Sequence, residues 1–78
     1  MKPSEVLRKA QILAMQERFQ VDAHWIIRTV AVSSLALHAL HVECGCAITT
    51  WFEQTQRSPQ DIRDLFDRAI AAAEARGE

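Results

Sequence analysis

The chain has 78 residues, of which nine are basic, ten are acidic and 49% are apolar, with two Gly, two Pro and no Asn. That length bounds it to one small domain without a second core, and the apolar share excludes a disordered chain. Scarce turn residues exclude a compact all-β fold, and a net charge of −1 with no basic stripe argues against nucleic-acid binding.

Pro3, Ser4 and Glu5 predict a first helix running from residues 3–4 to about 19. Proline suits the first turn, Glu5 the positive end of the helix dipole and Arg18 the negative end. Val6, Ala10, Leu13, Ala14 and Glu17 follow helical spacing, with Leu7, Ile12 and Met15 widening the apolar face. Asp22 follows a break at residues 20–22 as a candidate N-cap. Residues 23–32 are rich in β-branched side chains and have strand propensity. A lone strand has no pairing partner elsewhere in this chain, so helix is the expected state, with Trp25, Ile26, Thr29, Val30 and Ser33 along one side. Ser33 or Ser34 either caps a new helix or sits inside a continuing one.

Residues 35–54 continue as helix. Gly45 either closes a helix, with His41 in the last turn, or stays inside a longer one at about 1 kcal/mol relative to alanine; a break or kink there is the expectation. Ile48, Trp51, Phe52 and Thr55 share one face in either case. The last helix, 59–75, has three coincident start signals: Ser58 as N-cap, Pro59 at the first position and Asp61 at the third. Ile62, Leu65, Phe66, Ala69, Ile70 and Ala73 then form one apolar stripe. Together these elements predict a single all-α domain spanning 1–78, a small three- to four-helix bundle. Its centre is charge-poor, because residues 23–52 carry only Arg28 and Glu43 of the nineteen charged side chains.

Residues 47–70, from Ala47 through Trp51, Phe52 and Pro59 to Ile70, resemble the C-terminal part of a family of small uncharacterised proteins of actinobacteria and their phages. The family's signature is a Trp-Asn-Asp triplet, then Arg-Thr, then an amphipathic helix. Trp51, Arg57, Ser58, Ile62, Leu65 and Ala69 fall at matching positions, and Val6-Leu7-Arg8-Lys9-Ala10 is similar to the family's opening. Phe52-Glu53 stands where the family has Asn-Asp, and the family's glycine-rich middle is absent. The resemblance implies a phage or actinobacterial origin and carries over no activity.

His38-x-x-His41-x-x-Cys44-x-Cys46 contains zinc-ligand residue types. A tetrahedral site needs ligands converging from different directions, which four ligands within nine residues do not supply. Partly buried histidines and small apolar thiols are therefore expected, with no metal and no cofactor. A Cys44–Cys46 disulfide would be strained. A Cys–His nucleophile built from Cys44 or Cys46 with His41 or His24 lacks a cleft and an orienting carboxylate, so no catalytic residue is expected. Asp61, Arg63, Asp64, Asp67 and Arg68 read as a solvated helix face.

No apolar leader follows Met1, and the longest uncharged stretch, residues 29–42, falls short of the roughly 18–20 residues that span a bilayer. A cytoplasmic protein is expected, in the host cytoplasm if phage-encoded. Leu35, Leu37, Leu40, Val42, Ile48, Trp51 and Phe52 sweep most of a helix circumference, and such a helix must be surrounded. The expected function is protein–protein interaction, through a homodimer or a docked partner, with Trp25, Leu37, Leu40, Trp51 and Phe52 as candidate contacts. The alternative is a small helix-turn-helix or histone-like DNA-binding protein, and a metal- or thiol-dependent enzyme comes third.

Overall fold

The computed structural model describes residues 1–78 and contains helices and no strand. Five helices follow one another: α1 (Pro3–Gln16), α2 (Ala23–Val30), α3 (Ser34–Cys44), α4 (Ile48–Gln54) and α5 (Pro59–Ala75). The fold is the all-α bundle expected. Its central segment is divided by Ser33 and Gly45 into three short pieces.

Local chemistry explains each boundary. Asp22 accepts a hydrogen bond from the Trp25 backbone N–H at 2.8 Å, and Ser33 Oγ accepts one from Ala36 N–H at 3.1 Å. These two caps each satisfy an otherwise orphaned donor of the helix that follows. Gly45 takes φ +72 immediately after Cys44, a left-handed conformation that glycine adopts at little cost. The chain can therefore turn back, and α4 packs against α2 and α3. At the start of α5, Ser58 Oγ accepts from Asp61 N–H while the Asp61 carboxylate accepts from Ser58 N–H, a reciprocal capping box.

The end of α1 differs from expectation. The helix stops at Gln16, and Arg18 and Phe19 both take φ 56. Phe19 N–H reaches back to Ala14 C=O at 2.7 Å and Arg18 N–H to Met15 C=O at 2.9 Å. This is a Schellman closure with Arg18 in the position that usually holds glycine, so Arg18 lies beyond the helix and not in its last turn. The turn carries the Phe19 ring into the core. The same pair of bonds ends α5, where Gly77 supplies the left-handed residue.

α1 and α5 lie antiparallel. Arg8 pairs with both carboxylate oxygens of Glu74 at 2.9 Å, Gln11 donates to Asp67 at 2.7 Å, and Ser4 N–H donates to Glu78 C=O at 3.0 Å. Beneath these surface links, Val6, Leu7, Ala10 and Ala14 meet the α5 stripe of Ile62, Leu65, Phe66, Ala69, Ile70 and Ala73 in one core. The alanines let the helices approach closely. α3 packs on the other flank of α5, with Arg68 and Glu43 3.7 Å apart across the junction. Leu7, Ile26, Val30, Leu40, Ile48, Leu65 and Phe66 are the large side chains fully withdrawn from water. No helix is long and apolar enough to cross a membrane.

Candidate interaction surface

The five side chains expected to meet a partner divide between core and surface. Leu40 is fully buried and Trp51 is 7% exposed. Leu40 belongs to the core face of α3, and the turn at Gly45 brings Ile48 and Trp51 of α4 into the same core. Leu40 and Trp51 therefore present no surface to another molecule. Trp25, Leu37 and Phe52 are half-buried and pack against the core from its edge. Phe52 meets Trp51 edge to face, with ring centroids 5.1 Å apart, so the adjacent aromatics share one cluster despite pointing about 100° apart on the helix. Arg57 closes this corner. Its Nε–H donates to Trp51 C=O at 2.9 Å, and its guanidinium lies 4.0 Å from the Trp51 ring centroid. One side chain thus satisfies an end carbonyl of α4 and makes a cation–π contact.

The exposed apolar surface lies elsewhere. Ile12, Leu13 and Met15 of α1 face outward, because the buried apolar stripe of that helix is limited to Val6, Leu7, Ala10 and Ala14. Val32, just before the Ser33 cap, is 82% exposed, and Leu35 and Val42 are exposed on α3. Two of these outward side chains, Leu13 and Val32, border one cleft together with the exposed Met1. Met1, Val6, Lys9, Ala10 and Leu13 form one wall, and Thr29 and Val32 at the end of α2 form the other. The cleft has a volume of about 170 Å³, below the roughly 300–1,000 Å³ of pockets that hold drug-sized ligands. Thr29 Oγ1 donates to Trp25 C=O at 2.7 Å, so its hydroxyl is already satisfied within α2. Lys9 carries the one charged side chain in the lining. Such a cleft takes an apolar side chain and has little to grip a polar molecule. One sequence signal pointed to it: an apolar residue, Val32, placed where the chain leaves one helix for the next cap.

The histidines and cysteines stand apart from this surface. His38 is exposed, while His41, Cys44 and Cys46 are half-buried along α3 and the turn after it. No three His, Cys, Asp or Glu side chains converge in a group that could hold a metal ion. Both cysteines are free, and the Cys46 thiol points to Cys44 C=O at 3.6 Å. Burial first, and the neighbouring Cys46 second, push the Cys44 thiol from 9.0 up to about 11, outweighing the opposing pull of Arg57 and Arg68. At neutral pH Cys44 is therefore protonated and a weak nucleophile.

No protein-family model, curated protein or solved structure matches the chain.

Proposed function

We propose that the chain is a small helical protein–protein interaction module with no catalytic chemistry of its own, working in the cytoplasm by surface binding or self-association. A phage-encoded modulator of a host protein is one form of this reading, supported only by the family resemblance of residues 47–70 and of the opening residues 6–10. The observation that carries the proposal is the apolar cleft between α1 and α2, flanked by Met1, Leu13 and Val32, all substantially exposed. Contiguous apolar surface of this kind marks binding sites on small soluble domains. DNA binding has less support, because α3, which follows α2 after a short turn as a recognition helix would, carries no Lys or Arg, and phosphate contacts need them.

Affinity capture from a bacterial host lysate, comparing the wild-type chain with Leu13→Asp, tests the reading. A stoichiometric protein retained by the first and lost by the second is the expected result, unless the wild-type chain proves to be self-associated. A wild-type chain that is monomeric and retains nothing overturns it.

A further inference from the structure

We infer that Cys44 and Cys46 together form a two-coordinate site for a soft monovalent cation, copper(I), held through both sulfurs at the turn between α3 and α4. The inference is independent of the interaction-module reading. The absence of metal expected from the sequence followed from the demands of a tetrahedral ion; a two-coordinate ion needs only a pair of thiolates.

The turn brings the two thiols together. On an uninterrupted helix, residues two positions apart project about 200° apart, but α3 ends at Cys44 and Gly45 reverses the chain with φ +72. Cys46 therefore lies outside the helix, and its thiol folds back to Cys44 C=O at 3.6 Å. A disulfide would need the sulfurs about 2.05 Å apart. A linear sulfur–metal–sulfur unit, with bonds of roughly 2.3 Å, spans about 4.6 Å and asks far less of the same turn. Thiolates are soft ligands that select copper(I) over hard divalent ions, and no third His, Cys, Asp or Glu converges to raise the coordination number. Two thiolates and one monovalent cation leave a net negative charge on the complex. The charges of Arg57 and Arg68 both act on Cys44, and the opposing carboxylate, Glu43, is itself 3.7 Å from Arg68. Arg57 is fixed in place by the Trp51 carbonyl and ring, so a cation already stands beside the anionic complex. Burial disfavours a free thiolate at Cys44, whereas a bound cation neutralises the sulfur and expels its proton. Gly45 is exposed, with open space where a side chain would stand, so the turn is open to a donor. Binding exchanges two thiol protons, released to water, for one copper(I) that keeps its oxidation state and arrives as a small-molecule thiol complex.

Anaerobic titration of the full chain with copper(I), in competition with a chromophoric copper(I) chelator, tests the inference. One ion per chain is expected. Cys44→Ser and Cys46→Ser should each lower the affinity by more than about a hundredfold, with helical content by circular dichroism unchanged. His41→Ala, one turn before Cys44, should leave the affinity as it is. X-ray absorption at the copper edge should show two sulfur neighbours and no nitrogen. A folded site also makes copper(I) raise the thermal midpoint, because the ion then binds the native chain in preference to the unfolded one. Silver(I), which does not cycle between oxidation states here, should give the same rise. A chain that fails to compete with the chelator overturns the inference. So does an affinity lost with His41→Ala, which would mean a different ligand set. A midpoint lowered by either ion overturns it too, since the thiols would then be captured only in the unfolded chain.

Discussion

Arg18 and Phe19 hold a conformation that costs an L-residue roughly 1–2 kcal/mol, and they hold it for different returns. Phe19 gains burial of its ring, worth about 1.5–3 kcal/mol for a large apolar side chain. Arg18 is exposed and makes no side-chain hydrogen bond or ion pair, so nothing local offsets its strain. Arg18→Gly should therefore stabilise the protein. Relief of left-handed strain, less the extra chain entropy that glycine loses on folding, leaves a gain of about 0.5–1 kcal/mol. Urea denaturation would register it as a higher midpoint at unchanged slope. A lower midpoint would show that the Arg18 side chain supports the turn in a way its contacts do not reveal.

Among the elements, α5 is defined most completely by its own residues. Ser58→Ala removes the hydroxyl half of the capping box and should cost about 1 kcal/mol. The same variant reports on Asp61. The Ser58 backbone N–H, and then the Ser58 hydroxyl, hold the Asp61 carboxyl below its ordinary value of 3.8. A carboxyl depressed in the folded state supports the fold above its unfolded pKa, and that support is lost as pH falls through the folded value. In carbon-detected titrations Asp61 should have its midpoint below 3.8 in the wild type. In Ser58→Ala it should move upward only in part, because the amide of residue 58 remains. An unmoved midpoint would mean that the hydroxyl bond is not formed in solution.

The ease of reading each boundary follows from the same chemistry. Ser58, Pro59 and Asp61, and likewise Asp22, act on the backbone within three residues of themselves, so local sequence suffices to place them, whereas Ser33 and Gly45 each allowed a cap or a helix interior and the structure makes both of them caps. The end of α1 was not legible. Arg18 and Phe19 are forced into left-handed geometry by the core's demand for an aromatic ring, a tertiary cause with no glycine or asparagine to announce it. The expected surface suffered the same limit. Leu40 and Trp51 are apolar whether they face inward or outward; the packing of α3 on α5 turns Leu40 inward, and the turn at Gly45 does the same for Trp51.

At the scale of the whole molecule, one core serves all five helices, and Phe66 sits in it with no exposure. Phe66→Ala should cost about 3–5 kcal/mol. That is a large part of the roughly 5–15 kcal/mol typical of a domain, and a chain this short sits at the less stable end. Thermal unfolding followed by circular dichroism should show a sharply lowered midpoint, with part of the population unfolded near physiological temperature. A loss under about 0.5 kcal/mol would contradict the packing of α5 described above.

The links between α1 and α5 join residues that are far apart along the chain. Arg8 and Glu74 are separated by 66 positions, and Ser4 and Glu78 by more. The three short central helices can dock on one another over brief loops, but the outer pair meets only after nearly the whole chain has been drawn into a ring. Closing that ring is the entropically demanding step. The dependence in the folded protein runs one way: α1 packs mainly on α5, whereas α5 packs as extensively on α3 as on α1. α1 should therefore open whenever α5 does, its amides exchanging with solvent at least as fast as those of α5 even though the two helices lie at opposite ends of the sequence.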